Sequence, residues 1–327
     1  MARSGAVGLG LAVLSAATFG TAGPFGDSLL AAGWSPAGAA TVRIGLAALV
    51  LAVPAVRALR GRWALLRRGW AAAVGYGIGA VAVPQLFFFN AVEHLSVGVA
   101  LLLEYCGTLL VVLWMWLVHG QRPTRLTTVG GVLAIGGLVL VLDLTGSQRV
   151  DLVGVLWALG AAAGLASYFV LSSSTTAAAE DSLPPIAMAG VGMVVAALGL
   201  LVVDLVGVLP FRTATADVRL AGTLLPWLVP VVGVALVATV TAYVTGIAAA
   251  RRLGARVASF VGLAEVLFAI VFAWVLLDQR PSAWQGVGAI VVLAGIALVR
   301  LGDNPRSAPA VVTESAQIAT TAGVRRR

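Results

Sequence analysis

Apolar residues run along this chain in long unbroken blocks, each closed by a charge, a glycine or a proline. A helix needs roughly 20 such residues to cross a hydrocarbon core. Ten blocks of about that length can be read, at 6–25, 36–56, 69–90, 97–118, 125–143, 152–172, 184–207, 222–249, 256–277 and 283–301, and they predict ten transmembrane helices. Continuous runs lack the period-two alternation of a membrane barrel, the other structure that satisfies every backbone polar group in lipid. The chain has 327 residues, 60% of them hydrophobic and 10% charged, with a mean hydropathy of +1.03. That composition excludes a soluble globular domain and predicts an all-α integral membrane protein.

A net charge of +8 raises nucleic acid as a partner, but the basic residues, all arginine, are sorted by loop instead. Arg3, Arg57, Arg60, Arg62, Arg67, Arg68, Arg122, Arg125, Arg251, Arg252, Arg256, Arg300, Arg306 and Arg325–Arg327 fall on one set of loops and ends. Only Arg149, Arg212, Arg219 and Arg280 fall on the alternate set, and Arg43 lies inside a span. The positive-inside rule then places both termini in the cytoplasm, as an even number of spans requires. The first block could pass for a signal peptide after Arg3, but no convincing small-residue cleavage site follows it, and it reads as an uncleaved helix. Residues 303–327, with Asp303, Asn304, Pro305 and a terminal arginine triplet, read as a disordered cytoplasmic tail whose arginines can touch anionic lipid. One cysteine (Cys106) and two histidines (His94, His119) exclude a disulfide framework and a His/Cys metal cluster.

The chain is also duplicated. Gln121-Arg122-Pro123 returns 158 positions later as Gln279-Arg280-Pro281. At the same offset Ala91, Leu95, Val99, Ala100, Leu109, Trp116, Gly130, Gly137, Leu140 and Val141 meet identical residues without a gap. The earliest helices match more weakly near an offset of 150, where Ala16 and Phe19 meet Ala166 and Phe169. The repeats are residues 6–143 and 152–301, five spans each. Because five is odd, the second repeat must thread the membrane in the opposite sense. Glu93-His94, expected outside, accordingly corresponds to Arg251-Arg252, expected inside. Two inverted five-helix repeats can exchange conformations and open a central site to one side and then the other. Gly75/Gly79 and Gly160/Gly164 offer small-xxx-small pairs for close helix packing.

Ionisable groups inside a span cost about 2.5–3.5 kcal/mol on insertion scales, so each one needs a reason. Arg43 in the second span, Glu104 in the fourth and Glu265 in the ninth are the three that stand out. Glu104 shares a helical face with the small residues Ala100, Gly107 and Thr108, which points it at protein or a cavity. Arg43 and Glu104 lie at equal depth, and two readings are open: an ion pair fixing two helices, or direct solute contact. Gln85, beside Pro84, suits a solute contact or satisfies the carbonyl that the proline frees. Tyr243 occupies the equivalent position in the second repeat, and Tyr168 lies deep in the sixth span. Glu104 and Glu265, one reached from each side, can bind a solute ammonium group or carry protons. No phosphate loop, Ser/His/Asp set or paired aspartates points to an intramembrane enzyme or a cofactor.

Ten spans in two halves, each closing with Gln-Arg-Pro and two glycines seven apart, resemble the drug/metabolite transporter superfamily, and more narrowly its EamA-type members. That family usually carries Gly-Glu before the arginine of this turn, where this chain has Gly120-Gln121 and Asp278-Gln279. The run Leu95-Ser-Val-Gly-Val-Ala-Leu-Leu-Leu-Glu104-Tyr-Cys-Gly107 is similar to the threonine/homoserine exporter branch. The resemblance implies a multi-pass cell-membrane transporter that exports amino acids or related small metabolites, with proton antiport as its coupling. An importer or exchanger of another solute, such as a drug-like cation, and a non-transporting scaffold or sensor are the competing readings.

Overall fold

In the computed structural model, residues 2–95, 97–141, 151–174, 183–207, 210–278 and 280–302 are described. The tail expected at 303–327 lies outside them. The first span is α1 (Ala2–Gly20) followed by α2 (Ala22–Ala31), and the second is α3 (Pro36–Leu59). The third joins α4 (Trp63–Gly75), a π-helical segment (Tyr76–Ala82) and α5 (Val83–His94). The fourth is α6 (Val97–Tyr105) and α7 (Gly107–His119), and the fifth is α8 (Arg125–Val141). The second repeat runs through α9 (Leu152–Ser174) and α10 (Pro185–Val206). Its third span joins α11 (Leu228–Ala235), a second π-helical segment (Leu236–Thr241) and α12 (Ala242–Leu253). Then come α13 (Ala255–Gly262) with α14 (Ala264–Leu277), and finally α15 (Ala283–Gly302). Among the described residues nine helices are long and apolar enough to cross a bilayer, and the shorter Arg125–Leu140 makes the tenth.

The interruptions repeat with the sequence. Shifting Tyr76–Ala82 by 158 gives 234–240, which overlaps the second π segment at Leu236–Thr241. In the first, Pro84 brings no N–H to the ladder, so a carbonyl one turn back loses its partner. In the second, no proline intervenes. Instead the Thr239 and Thr241 hydroxyls donate to the carbonyls of Val234 and Leu236 at 2.8 and 3.0 Å, five residues back. The fourth and ninth spans break likewise, at Cys106 and Leu263.

Packing exchanges the halves. α8 lies along α15 and α3 along α10, while α1 against α12 answers α9 against α5. A two-fold relation between the repeats produces such swapped pairs. The tightest seam is built on the duplicated glycines: Gly130 faces Gly295 and Gly137 faces Gly288, backbone on backbone. Gly160 and Gly164 seat Phe87 and Pro84; of the other expected pair, Gly79 lies against Ser167 while Gly75 packs against nothing within 4 Å.

Two ends of the bundle can be distinguished. At one, β1 (Val218–Leu220) and β2 (Thr223–Leu225) form an antiparallel hairpin turned by Ala221 and Gly222. This hairpin takes residues 222–225 out of the apolar block read as the eighth span, whose helix begins only at Leu228. At the same end the Ser35 N–H donates to the Arg212 carbonyl (3.0 Å), the Arg212 N–H to Ser35 Oγ (2.9 Å), and the Trp34 indole to the Ala214 carbonyl (2.7 Å). His94 Nδ1 meets Asp151 Oδ2 at 2.9 Å there as well, linking the end of α5 to the start of α9. At the other end, which holds the beginning of α1 and the end of α15, Arg256 Nη2 donates to the Gln121 carbonyl (2.8 Å) and Gly8 abuts Arg252. His94 and Arg252 therefore sit at opposite ends.

Candidate functional site

Where the interrupted helices meet, they leave a cavity of about 410 Å³ in the middle of the bundle. All six side chains singled out from the sequence line it: Arg43, Gln85, Glu104, Tyr168, Tyr243 and Glu265. Both carboxylates stand beside a helix break. Glu104 is the penultimate residue of α6, and Glu265 is the second of α14, where the amide dipoles favour a negative charge. The repeats place glycine where the other half has its acid, Gly262 matching Glu104 and Gly107 matching Glu265. The duplicated fold thus carries one carboxylate per half at non-equivalent positions.

Arg43 does not pair with Glu104 as equal depth suggests. No ion pair within 4 Å joins it to either carboxylate, and its Nε is buried without a hydrogen-bond partner. Tyr243, Glu265 and Glu104 line the same cavity around it. Depth along a helix does not set the direction a side chain faces. α3 packs against α10 and α11 of the second repeat, and Arg43 accordingly looks across the cavity. Glu265 instead lies beside the Tyr105 hydroxyl.

Aromatic rings finish the wall. The rings of Phe19 and Tyr243 meet edge to face at 5.0 Å, and Tyr168 meets Tyr243 at 5.4 Å and Phe169 at 4.9 Å. The Tyr168 hydroxyl and Ser15 Oγ both lie against Gly246, and Ser15 donates to the Ala242 carbonyl at 2.8 Å. Gly246 makes room for that hydroxyl, because a Cβ there would overlap it. Tyr105, Ser15, Phe19 and Asp27 also line the cavity and were not singled out from the sequence. Tyr105 was legible as the neighbour of Glu104. Asp27 was not, since the apolar block stops at 25 while the helix continues to Ala31.

The cavity is closed at one end only. Toward the chain termini its wall is Ala12, Ala249 and Ala258, all buried, backed by a cluster that includes Val257 and Val261. Toward the hairpin it passes Asp27 and Leu30, both exposed. No group of three or more His, Cys, Asp or Glu positioned to hold a metal occurs among the described residues.

Two interlocked helical repeats enclosing a central, one-sided cavity with buried charges define a polytopic membrane protein built for solutes. Its family is identified by sequence: the EamA-like transporter family model matches twice, over residues 6–143 and 152–301, and the chain belongs to that family. It is 28% identical over 261 residues to "Uncharacterized transporter YwfM" of Bacillus subtilis (strain 168), covering 78% of this chain and 81% of that one. A solved structure described as "Crystal structure of protein" shares the fold at a TM-score of 0.69 and 20% identity, over 92% of this chain and 97% of the other.

Proposed function

We propose that this transporter works by alternating access as a secondary exporter of amino acids or related small metabolites, with protons as the counter-ion. The observation that carries the reading is the meeting of Glu104, Glu265 and Arg43 in one cavity with a single open end. Buried charges are costly in a membrane, and a cavity between inverted repeats is where they serve binding rather than folding. In this reading Glu265 and Glu104 receive the solute ammonium group or a coupling proton. Arg43 balances them, and Gln85, Tyr168 and Tyr243 line the passage. The arginine distribution supports a cell-membrane location with both termini cytoplasmic, so the open end faces outward.

A second reading has its own support. Phe19, Tyr168 and Tyr243 form an aromatic corner in a cavity with more acids than bases, which suits a drug-like organic cation. Counterflow into liposomes holding the purified protein, over a panel of labelled amino acids and organic cations with and without a pH gradient, separates the two. Exchange of amino acids accelerated by an opposing proton gradient is the expected result. Exchange of cations alone favours the second reading, and movement of no solute overturns both.

A further inference from the structure

Arg251 has no role in the cavity described above, yet it is held in an unusual state. It lies at the end of α12, two residues from the end of the helix, with Nε and Nη2 buried and without hydrogen-bond partners. Tyr76, of the first π segment and fully buried, packs in one cluster with Ala250 and Leu253, which flank Arg251. Tyr76 in turn packs its ring 6.1 Å from Tyr168, which is 5.4 Å from Tyr243 on the cavity wall. A file of buried hydroxyls therefore leads from the cavity to an unsatisfied guanidinium at the closed end.

The duplication says what that file is. When inverted repeats exchange conformations, each residue lining the open route hands its place to its counterpart. Val234 lines the open cavity, and its counterpart at the 158 offset is Tyr76. Ala22 lines it too, and at the 150 offset of the early helices its counterpart is Ser172, a buried residue two positions from the end of α9 and beside Tyr76. Arg43 maps to Met193, so the second route has no cation by descent from the first. Arg251 supplies one.

We propose that the route to the terminal end runs between the first π segment, α9 and α12, past Tyr76 and Ser172, and that Arg251 is its docking group for a carboxylate. A guanidinium fork matches a carboxylate with two parallel hydrogen bonds, and Nε and Nη2 of Arg251 are already buried. The inference rests on the alternating-access reading and refines it: the solute carries a carboxylate as well as an amine. The acids of the cavity hold one group, and Arg251 receives the other as the solute passes.

Charge-selective thiol labelling tests this without knowing the solute. Ser172→Cys is made in a Cys106→Ser background and placed in phosphatidylcholine nanodiscs, where both faces are open and no anionic lipid competes. It is treated with the anionic 2-sulfonatoethyl and the cationic 2-trimethylammonioethyl methanethiosulfonates. The anionic reagent should react at least about threefold faster relative to free cysteine. Arg251→Gln should abolish that preference and Arg251→Lys keep it. Absence of labelling at 172, or a preference indifferent to Arg251, overturns the route or the role. If labelling fails while counterflow of amino acids proceeds, alternating access stands and only this route falls. If no solute moves, the functional reading itself has failed.

Discussion

Gly130 and Gly295 meet backbone to backbone across the α8–α15 seam, so tightly that a methyl group on Gly130 would lie 2.7 Å from the Gly295 carbonyl oxygen. Gly137 and Gly288 repeat the arrangement with the halves exchanged. In lipid no hydrophobic force drives two helices together, and such close approach is what replaces it. Gly130→Ala should therefore destabilise the protein by about 1–3 kcal/mol, the usual cost of overpacking a tight contact. Gly136→Ala, on the same helix with nothing within 4 Å, should be neutral or slightly stabilising. Thermal unfolding in detergent compares them. Equal melting temperatures for both variants would contradict this account of the seam.

The two turns after the fourth and ninth spans share a left-handed residue that ends the helix, Gly120 at φ 66° and Asp278 at φ 56°. Glycine adopts that conformation without the penalty a side chain brings, roughly 1–2 kcal/mol. Asp278→Gly should thus raise the melting temperature, whereas Gly120→Asp should lower it. A fall in stability for Asp278→Gly would mean that the aspartate side chain contributes more than its backbone costs.

Ser35 serves two elements. Its hydroxyl caps α3 by accepting the Gly38 N–H at 3.1 Å, and it accepts the Arg212 N–H from the loop of the other repeat. Losing a cap costs about 1 kcal/mol, and the orphaned Arg212 N–H adds a comparable amount. Ser35→Ala should lower stability by about 2 kcal/mol and speed protease cutting in 210–217, while Ser35→Asn should restore most of it. Unchanged proteolysis would show that the loop is held by its apolar contacts at Trp34 and Val218 instead.

These cases also mark how far the sequence could be read. Continuous apolar blocks place the spans because a bilayer sets helix length, and the offset of 158 anticipates the swapped packing through Gly130 and Gly137. The hairpin at Val218–Leu225 escapes notice because three-residue strands carry too little pattern beside a long apolar run. Depth brings Arg43, Glu104 and Glu265 into one region, since rise per residue is fixed. Rotation about each helix axis is set by packing partners, and so Arg43 makes no ion pair with Glu104 and Glu265 lies beside Tyr105.

That last contact predicts a graded series. Tyr105→Phe removes a hydroxyl from the cavity wall beside Glu265 and should slow transport roughly tenfold, the scale of one hydrogen bond to a charged group. Gly246→Ala should be as harmful, because it drives the Tyr168 hydroxyl from its place next to Ser15. Initial rates in liposomes at matched protein content check both, and wild-type rates in either variant would remove Tyr105 or Tyr168 from the passage.

The most direct test of the cavity as the solute's path is counterflow by Glu104→Gln, Glu265→Gln and the double variant, each shown to be monodisperse. Collapse of exchange in Glu265→Gln and in the double variant, with binding of the solute lost alongside it, is the expected result. Wild-type exchange by the double variant, with its pH dependence intact, would place the path elsewhere in the molecule.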